Sequence, residues 1–159
     1  MNQYKLAAII FLVVAAIILL ASNGANPHRI DYGFKRAQEK LFLTLKFSSE
    51  QKIDYYETLL NRRLKELEYL TFNRKTYILW SASLRYAATA GEVTDLIIQN
   101  SLSDKASQYI DKFKNHQEAI NSLLKNYPGD LDPTEENSKF LEDAINSLTS
   151  YIDKLSQVK

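Results

Sequence analysis

The sequence predicts an all-α protein in which an N-terminal transmembrane or signal helix precedes a bundle of three to four long helices ending in an αα-hairpin. The 159 residues include only four glycines and three prolines, too few for the many turns of a sandwich or barrel. Apolar residues recur at helical spacing through most of the chain, and a single long apolar run lies at its start. These three observations define the fold class.

The N-terminal segment is the strongest indication of where the protein resides. Lys5 precedes sixteen consecutive apolar residues, Leu6 to Ala21. At about 1.5 Å per residue, such a helix covers roughly 24 Å of the ~30 Å hydrocarbon core. A signal peptide is the alternative, although the sequence around Ser22 is a poor cleavage site. We predict that residues 1–22 are a retained membrane anchor, with the following domain on the extracytoplasmic side, or else secreted after signal cleavage.

The helical domain is predicted to cover residues 31–159, after a linker at residues 23–30 in which Pro27 interrupts any continuing helix. A first helix is expected from Asp31 to Lys46. Its apolar side carries Phe34, Leu41 and Leu45. We expect this side to be buried in the bundle.

Two further helices follow in the middle of the chain. Ser48 and Gln51 have capping-box spacing and begin a second helix that runs to about Phe72. Its apolar stripe comprises Ile53, Tyr56, Leu60, Leu64, Leu67 and Leu70. A third helical stretch weakens at Gly91 and has a stripe that we expect the bundle to bury, formed by Tyr77, Trp80, Leu84 and Ala87.

The C-terminal half carries two heptad seams typical of coiled-coil packing. The first consists of Leu102, Ala106, Tyr109, Phe113, His116, Ile120, Leu123 and Tyr127. The second consists of Leu141, Ile145, Leu148, Ile152 and Leu155. Pro128 and Gly129 end one helix, while Asp132 and Pro133 are expected to begin the next. Two seams joined by a short loop predict an antiparallel αα-hairpin over about residues 102–157.

The early part of the helical domain resembles an exported bacterial domain-of-unknown-function family, the 5667 type. The resemblance rests on Tyr32 followed by the run Lys35-Arg36-Ala37-x-Glu39, and on Arg63-Leu64-x-Glu66 downstream. It covers roughly residues 27–70. It implies an envelope location and a helical domain, and it brings no known activity.

The charged residues of those motifs are the first candidate site. Lys35 and Glu39 lie one turn apart, as do Arg63 and Glu66. We interpret the four residues as an ion-pair cluster that fixes how the first two helices cross. The alternative is a clamp for a carboxylate or phosphate ligand.

His116 is a polar residue on a heptad seam, where it could set the register, sense pH or bind a metal. No histidine or carboxylate lies four residues away, so we predict a structural role and no metal site. The chain has no cysteine and a net charge of +1, which gives no reason to expect nucleic-acid binding. With no catalytic or cofactor motif, we predict no cofactor and no enzymatic activity.

Ten tyrosines and one tryptophan are more aromatic residues than the apolar stripes require. Aromatic side chains are favoured at protein interfaces. We expect most of these residues at the boundary between core and solvent. The alternative is an interaction surface that includes Trp80, Tyr86, Tyr109 and Tyr151. The functional hypothesis is a membrane-anchored interaction module of the cell envelope that binds a protein partner or itself. The alternative is a periplasmic chaperone-like domain, or one that senses stress or metals.

Overall fold

The computed structural model of the chain describes residues 32–131 and 136–158, together with positions 4, 5, 9, 13 and 16. The described residues form helices joined by turns, with no strand among them, which confirms the all-α fold class. The chain divides into two compact units, Met1–Lys46 and Phe47–Lys159.

The predicted anchor at residues 1–22 and linker at 23–30 lie outside the described residues, apart from the five positions named above. Those five positions are helical and exposed. In the part of the chain that the structure describes, no helix combines the length and apolarity needed to cross a membrane.

Helix α1, Tyr32–Thr44, belongs to the first unit, although the sequence placed it at the start of the bundle. Its apolar side was predicted to be buried, and this was wrong: Phe34, Leu41 and Leu45 are each about half exposed, at 50%, 48% and 53%. The buried residues are polar, namely Lys35, Gln38 and Glu39. Arg36 donates to Glu39 at 2.8 Å, so the buried carboxylate has a cationic neighbour within the helix.

Helix α2, Ser49–Phe72, begins at the capping box that the sequence predicted. Ser48 Oγ accepts a hydrogen bond from Gln51 N at 3.1 Å, and Gln51 Oε1 accepts from Phe47 N at 3.3 Å. The predicted apolar stripe is buried except for Leu64, which is half-buried. The helix ends in a Schellman motif with Arg74 in the left-handed region, φ 57°, and Lys75 N bonded to Leu70 O.

Helix α3, Leu79–Gln99, follows a short 3-10 helix at Thr76–Ile78. The expected weakening at Gly91 was wrong, because the helix continues through this position to Gln99. Its C-terminal end is a second Schellman motif, in which Ser101 has φ 50° and Leu102 N bonds to Ile97 O at 3.2 Å.

Helices α4, Ser103–Lys125, and α5, Lys139–Leu155, form the antiparallel pair that the two seams predicted. Phe113 contacts Tyr151 and Gln117 Nε2 donates to Thr149 Oγ1, so the α5 partner moves backward along the chain as α4 advances. The last helix begins six residues after the predicted start at Pro133, since residues 136–138 form a turn. Asp132 and Pro133, the predicted cap, lie outside the described residues.

The four helices of the second unit form a bundle in which α3 packs closely against both α2 and α5, and α5 packs closely against α4. Helix α4 approaches α2 less closely, and large side chains bridge the wider gap. Tyr109 Oη donates to the Ile53 carbonyl at 2.7 Å, and Lys112 Nζ reaches Glu57 at 2.7 Å. This arrangement leaves one side of α3 facing solvent.

Candidate functional site

The solvent side of α3 presents large apolar side chains. Tyr77 is 70% exposed, Trp80 50% and Leu84 56%, and Ile98 lies further along the same side at 37%. Tyr77 lies in the short 3-10 helix before α3, and Trp80 and Leu84 follow it at three- and four-residue steps. Ile98 comes fourteen residues after Leu84, about four helical turns, so the four side chains lie in one stripe. We call this stripe the α3 face, and it comprises Tyr77, Trp80, Leu84, Ala87, Ala88, Gly91, Asp95 and Ile98.

A shallow groove borders the α3 face where α3 lies against α5. Its volume is about 100 Å³. The lining residues are Ser83, Leu84, Ala87, Phe140, Asp143, Ala144 and Ser147. The Ser83 hydroxyl oxygen is buried and has no hydrogen-bond partner among the residues that the structure describes. The groove therefore combines apolar walls with polar residues, Ser83, Asp143 and Ser147.

Tyr151 lies at the middle of the face, against Gly91. A Cβ atom placed on Gly91 would lie 2.9 Å from the Tyr151 hydroxyl oxygen, so only glycine admits the ring in this position. Burial raises the pKa of Tyr151, and the nearby Asp95 carboxylate raises it further. The phenol is therefore kept neutral beside the α3 face.

Helices α3 and α5 are parallel and in register along the face. Ser83 to Ala87 lie beside Phe140 to Ser147, and Gly91 lies beside Tyr151. At the far end, a wider depression of about 470 Å³ lies between Ile98 and the segment from Lys154 to Val158. The exposed surface therefore runs the full length of α3.

Two of the four residues of the predicted interaction surface lie in the core, and an interaction through the other two stays a prediction. Trp80 is exposed and Tyr151 half-buried, and both lie at the α3 face. Tyr86 and Tyr109 are fully buried, and their assignment to the surface was wrong. Each hydroxyl is satisfied within the core, since Tyr86 Oη lies 2.9 Å from His116 Nδ1 and Tyr109 donates to a backbone carbonyl. Burial raises the pKa of both phenols.

His116 occupies the core position that its seam predicted, at 6% exposure. Burial, and to a lesser extent the nearby Lys112, lower its pKa to about 4, while Glu57 acts in the opposite direction. The ring is therefore neutral at pH 7. Among the residues that the structure describes, no group of three histidine or acidic side chains could hold a metal ion.

The four residues of the predicted ion-pair cluster are divided between the two units. Lys35 and Glu39 are buried on α1. Arg63 and Glu66 are buried on α2, where Arg63 donates to Glu66 at 2.7 Å. The pairing within α2 is therefore observed, and the pairing of one helix with the other stays a prediction.

The sequence contained one signal that could have identified the exposed face. The opposite side of α3 carries Leu79, Tyr86, Val93 and Ile97 at helical spacing, with small residues such as Ala82 and Ala90 between them, and all of these are buried. Small residues on one face of a helix allow close helix packing. That seam competes with the exposed stripe of Trp80 and Leu84, and apolar periodicity alone does not choose between the two sides.

A family model described as "Domain of unknown function (DUF5667)" matches residues 24–158. The match extends well beyond the resemblance seen at residues 27–70 and includes the C-terminal helix pair. No curated protein and no solved structure matches the chain.

Proposed function

The chain belongs to the DUF5667 family, and we propose that it is a membrane-anchored, extracytoplasmic interaction module that binds a protein partner through the α3 face. The observation that carries this proposal is the row of exposed side chains formed by Tyr77, just before α3, and by Trp80 and Leu84 on α3. Exposing large aromatic side chains to water is unfavourable, and Trp and Tyr are the residues that most often dominate binding energy.

The bundle supports the proposal by holding this surface rigid. Residues on the opposite side of α3, such as Tyr86 and Val93, are fully buried. A partner would therefore meet side chains that need little reorganisation on binding, which favours affinity. The groove beside Leu84 offers a place for one apolar side chain of the partner.

Membrane anchoring is supported by the sequence of residues 6–21, which carries no charge and follows Lys5. The proposal is checked by determining the mass of the full-length protein recovered from membranes after carbonate washing. Retention in the membrane at the full mass is expected. A shortened product that the wash releases would indicate that residues 1–22 are a cleaved signal peptide and not a retained anchor.

The partner is identified by photo-crosslinking in cells that produce the full-length chain. The photoreactive residue replaces Trp80, and a matched control replaces Gln108 on the exposed side of α4. One dominant product from position 80 that is absent from position 108 is expected. Equal labelling from both positions, or none, contradicts a binding role for the α3 face.

A chaperone-like role is the second candidate, since an exposed apolar face can also hold unfolded chains. It ranks lower because the groove, at about 100 Å³, admits a single side chain. A ladder of many weak products from position 80, together with suppressed aggregation of a test client, would favour this role over a dedicated partner.

A further inference from the structure

We propose that helix α1 lies flat on the membrane that anchors the chain, with an exposed apolar stripe at the boundary between lipid headgroups and acyl chains. The stripe comprises Phe34, Ala37, Leu41 and Leu45, which recur at steps of three and four residues. Leu45 follows the last residue of α1, and its backbone N–H still donates to the Leu41 carbonyl at 3.2 Å. We call these four residues the α1 stripe. This placement rests on the proposed function, because it requires that residues 1–22 stay in the membrane.

The polarity of α1 is the reverse of that found in helices that pack on a protein core. Such helices bury apolar residues and turn polar ones toward water. In α1 the buried side chains are Lys35, Gln38 and Glu39. Phe34 and Leu41, on another side of the same helix, are about half exposed. Because contact between apolar side chains and water is unfavourable, this polarity favours an apolar medium on the outer side of α1.

The short connection to the predicted anchor identifies this medium as lipid. Residues 23–31 separate the anchor from Tyr32, the first residue of α1. A fully extended chain of nine residues spans at most about 30 Å, so the start of α1 stays within that distance of the bilayer. The apolar run of the anchor covers roughly 24 Å of the ~30 Å hydrocarbon core, and this mismatch draws its flanking residues toward the headgroups.

The length of α1 and the area of the α1 stripe fit a helix that lies on a bilayer. Its 13 residues cover about 20 Å, which is too short to cross the hydrocarbon core. The stripe exposes on the order of 300 Å², judged from exposed fractions and ordinary side-chain areas, whereas a standard protein interface buries about 800 Å² per partner. A lipid surface needs no such area, because the anchor already holds α1 at a high effective concentration beside it.

The charges of α1 suit a surface of anionic headgroups. Lys40 is exposed and follows Ala37 of the stripe by one helical turn. The one carboxylate within Tyr32–Thr44 belongs to Glu39, which is buried and accepts a hydrogen bond from Arg36 at 2.8 Å. No exposed carboxylate of α1 therefore repels the headgroups, and Lys40 can extend from the edge of the stripe to a phosphate group.

Lipid contact is tested with a fluorophore on a single introduced cysteine, since the chain has no cysteine of its own. The full-length protein is reconstituted in vesicles of phosphatidylcholine and phosphatidylglycerol, with and without a spin-labelled lipid that quenches on contact. Leu41→Cys carries the fluorophore nitrobenzoxadiazole on the stripe. Phe72→Cys is the matched control, an exposed apolar position at the far end of α2. We expect blue-shifted emission at position 41, with quenching at least about threefold greater than at position 72.

A second pair of labels tests whether α1 lies flat. Phe34→Cys and Leu45→Cys are at the two ends of the stripe, about 16 Å apart along the helix axis. Comparison of a shallow with a deep spin-labelled lipid should give the same depth for both positions. A label at position 34 deep in the hydrocarbon, with position 45 in water, would indicate a helix that enters the bilayer end-on and would overturn the flat placement.

Two results would overturn lipid contact itself. Emission typical of water at position 41, equal to that at position 72, would show that the stripe is solvated. Blue-shifted emission that the spin-labelled lipid does not quench would show that protein, from a second copy or from another partner, covers the stripe. Circular dichroism checks that each labelled variant keeps the helical content of the unmodified protein.

Failure of this placement is distinguishable from failure of the proposed function. Protein that resists the carbonate wash while position 41 stays in water retains the anchor and rejects the placement of α1. Protein that the wash releases from the vesicles rejects the anchor and the placement together. The photoproduct expected from position 80 is measured separately and reports only on the α3 face.

Discussion

Helices α3 and α4 have similar lengths and each carries an apolar stripe at helical spacing, but the bundle uses the two stripes in opposite ways. In α4 the stripe is buried, including Tyr109, Phe113 and Ile120. In α3 the stripe that begins at Tyr77 and Trp80 faces solvent. Helix α3 carries a second apolar stripe, which includes Leu79, Tyr86 and Val93, and the core takes that one.

The spacing between helices explains this difference. Helix α3 lies between two close neighbours, and Gly91 with the buried alanines allows those neighbours to approach. Helix α4 lies across a wider gap, which Tyr109 and Phe113 fill with an edge-to-face ring contact at 5.8 Å. Burial therefore follows the volume that each position must fill, because protein interiors are packed at nearly constant density.

The largest expected change in the free energy of unfolding comes from removing one aromatic ring from the stripe of α4 and, separately, one from the stripe of α3. Phe113→Ala leaves a cavity in the core and should lower the free energy of unfolding by about 3–5 kcal/mol. Trp80→Ala removes an even larger ring from the half-exposed α3 face and should cost less than about 1 kcal/mol. Urea unfolding of the full-length protein measures both. Similar losses for the two variants would show that α3 buries its stripe.

The second expected effect is a pH dependence of stability that comes from His116 in the seam of α4. Because the pKa of His116 is about 4 in the folded protein and 6.5 in the unfolded chain, the unfolded chain binds more protons between these values. The neutral His116 ring therefore contributes roughly 3 kcal/mol to the free energy of unfolding above pH 6.5. This contribution is lost as the pH falls toward 4.

His116→Gln should remove most of this pH dependence of the unfolding free energy between pH 7 and 4. His28→Gln, which alters the other histidine of the chain, serves as the control. An unchanged slope in His116→Gln would assign the pH dependence to other groups. The α3 face carries no histidine and should contribute nothing to it.

A smaller effect tests the close packing of α3. Glycine to alanine inside a helix ordinarily stabilises by about 1 kcal/mol. Gly91→Ala should give no such gain, because the new methyl group meets the Tyr151 side chain. In a Tyr151→Ala background the gain should return. A double-mutant cycle measures the coupling, expected at about 1 kcal/mol, and strict additivity would contradict the contact.

The smallest expected change in stability comes from the connection between α3 and α4. Ser101 adopts a left-handed conformation that glycine adopts without strain. Ser101→Gly should therefore stabilise the protein by up to about 1 kcal/mol. Arg74→Gly relieves the same strain before α3 but removes an ion pair with Asp130, so its net gain should be smaller. Thermal unfolding compares the two variants.

Much of the fold could be predicted from local rules. The Ser48 capping box, the end of α2 near Phe72 and the two C-terminal seams depend on residues within one or two turns of each other. The candidate site was harder to predict from the sequence. Trp80 is exposed and Tyr151 is half-buried, whereas Tyr86 and Tyr109, which the sequence assigned to the same surface, lie in the core. The local sequence around a buried aromatic residue resembles that around an exposed one, because the residues that cover its side chain belong to other helices.

By itself, the sequence determined the all-α class, the start of α2, the buried seams of α4 and α5, and the family. Tertiary structure alone decided which side of α3 faces water, why Gly91 is needed, and where Tyr86 and His116 meet. The physical reason is that helix formation depends on neighbours along the chain, whereas burial depends on how much space distant helices leave between them.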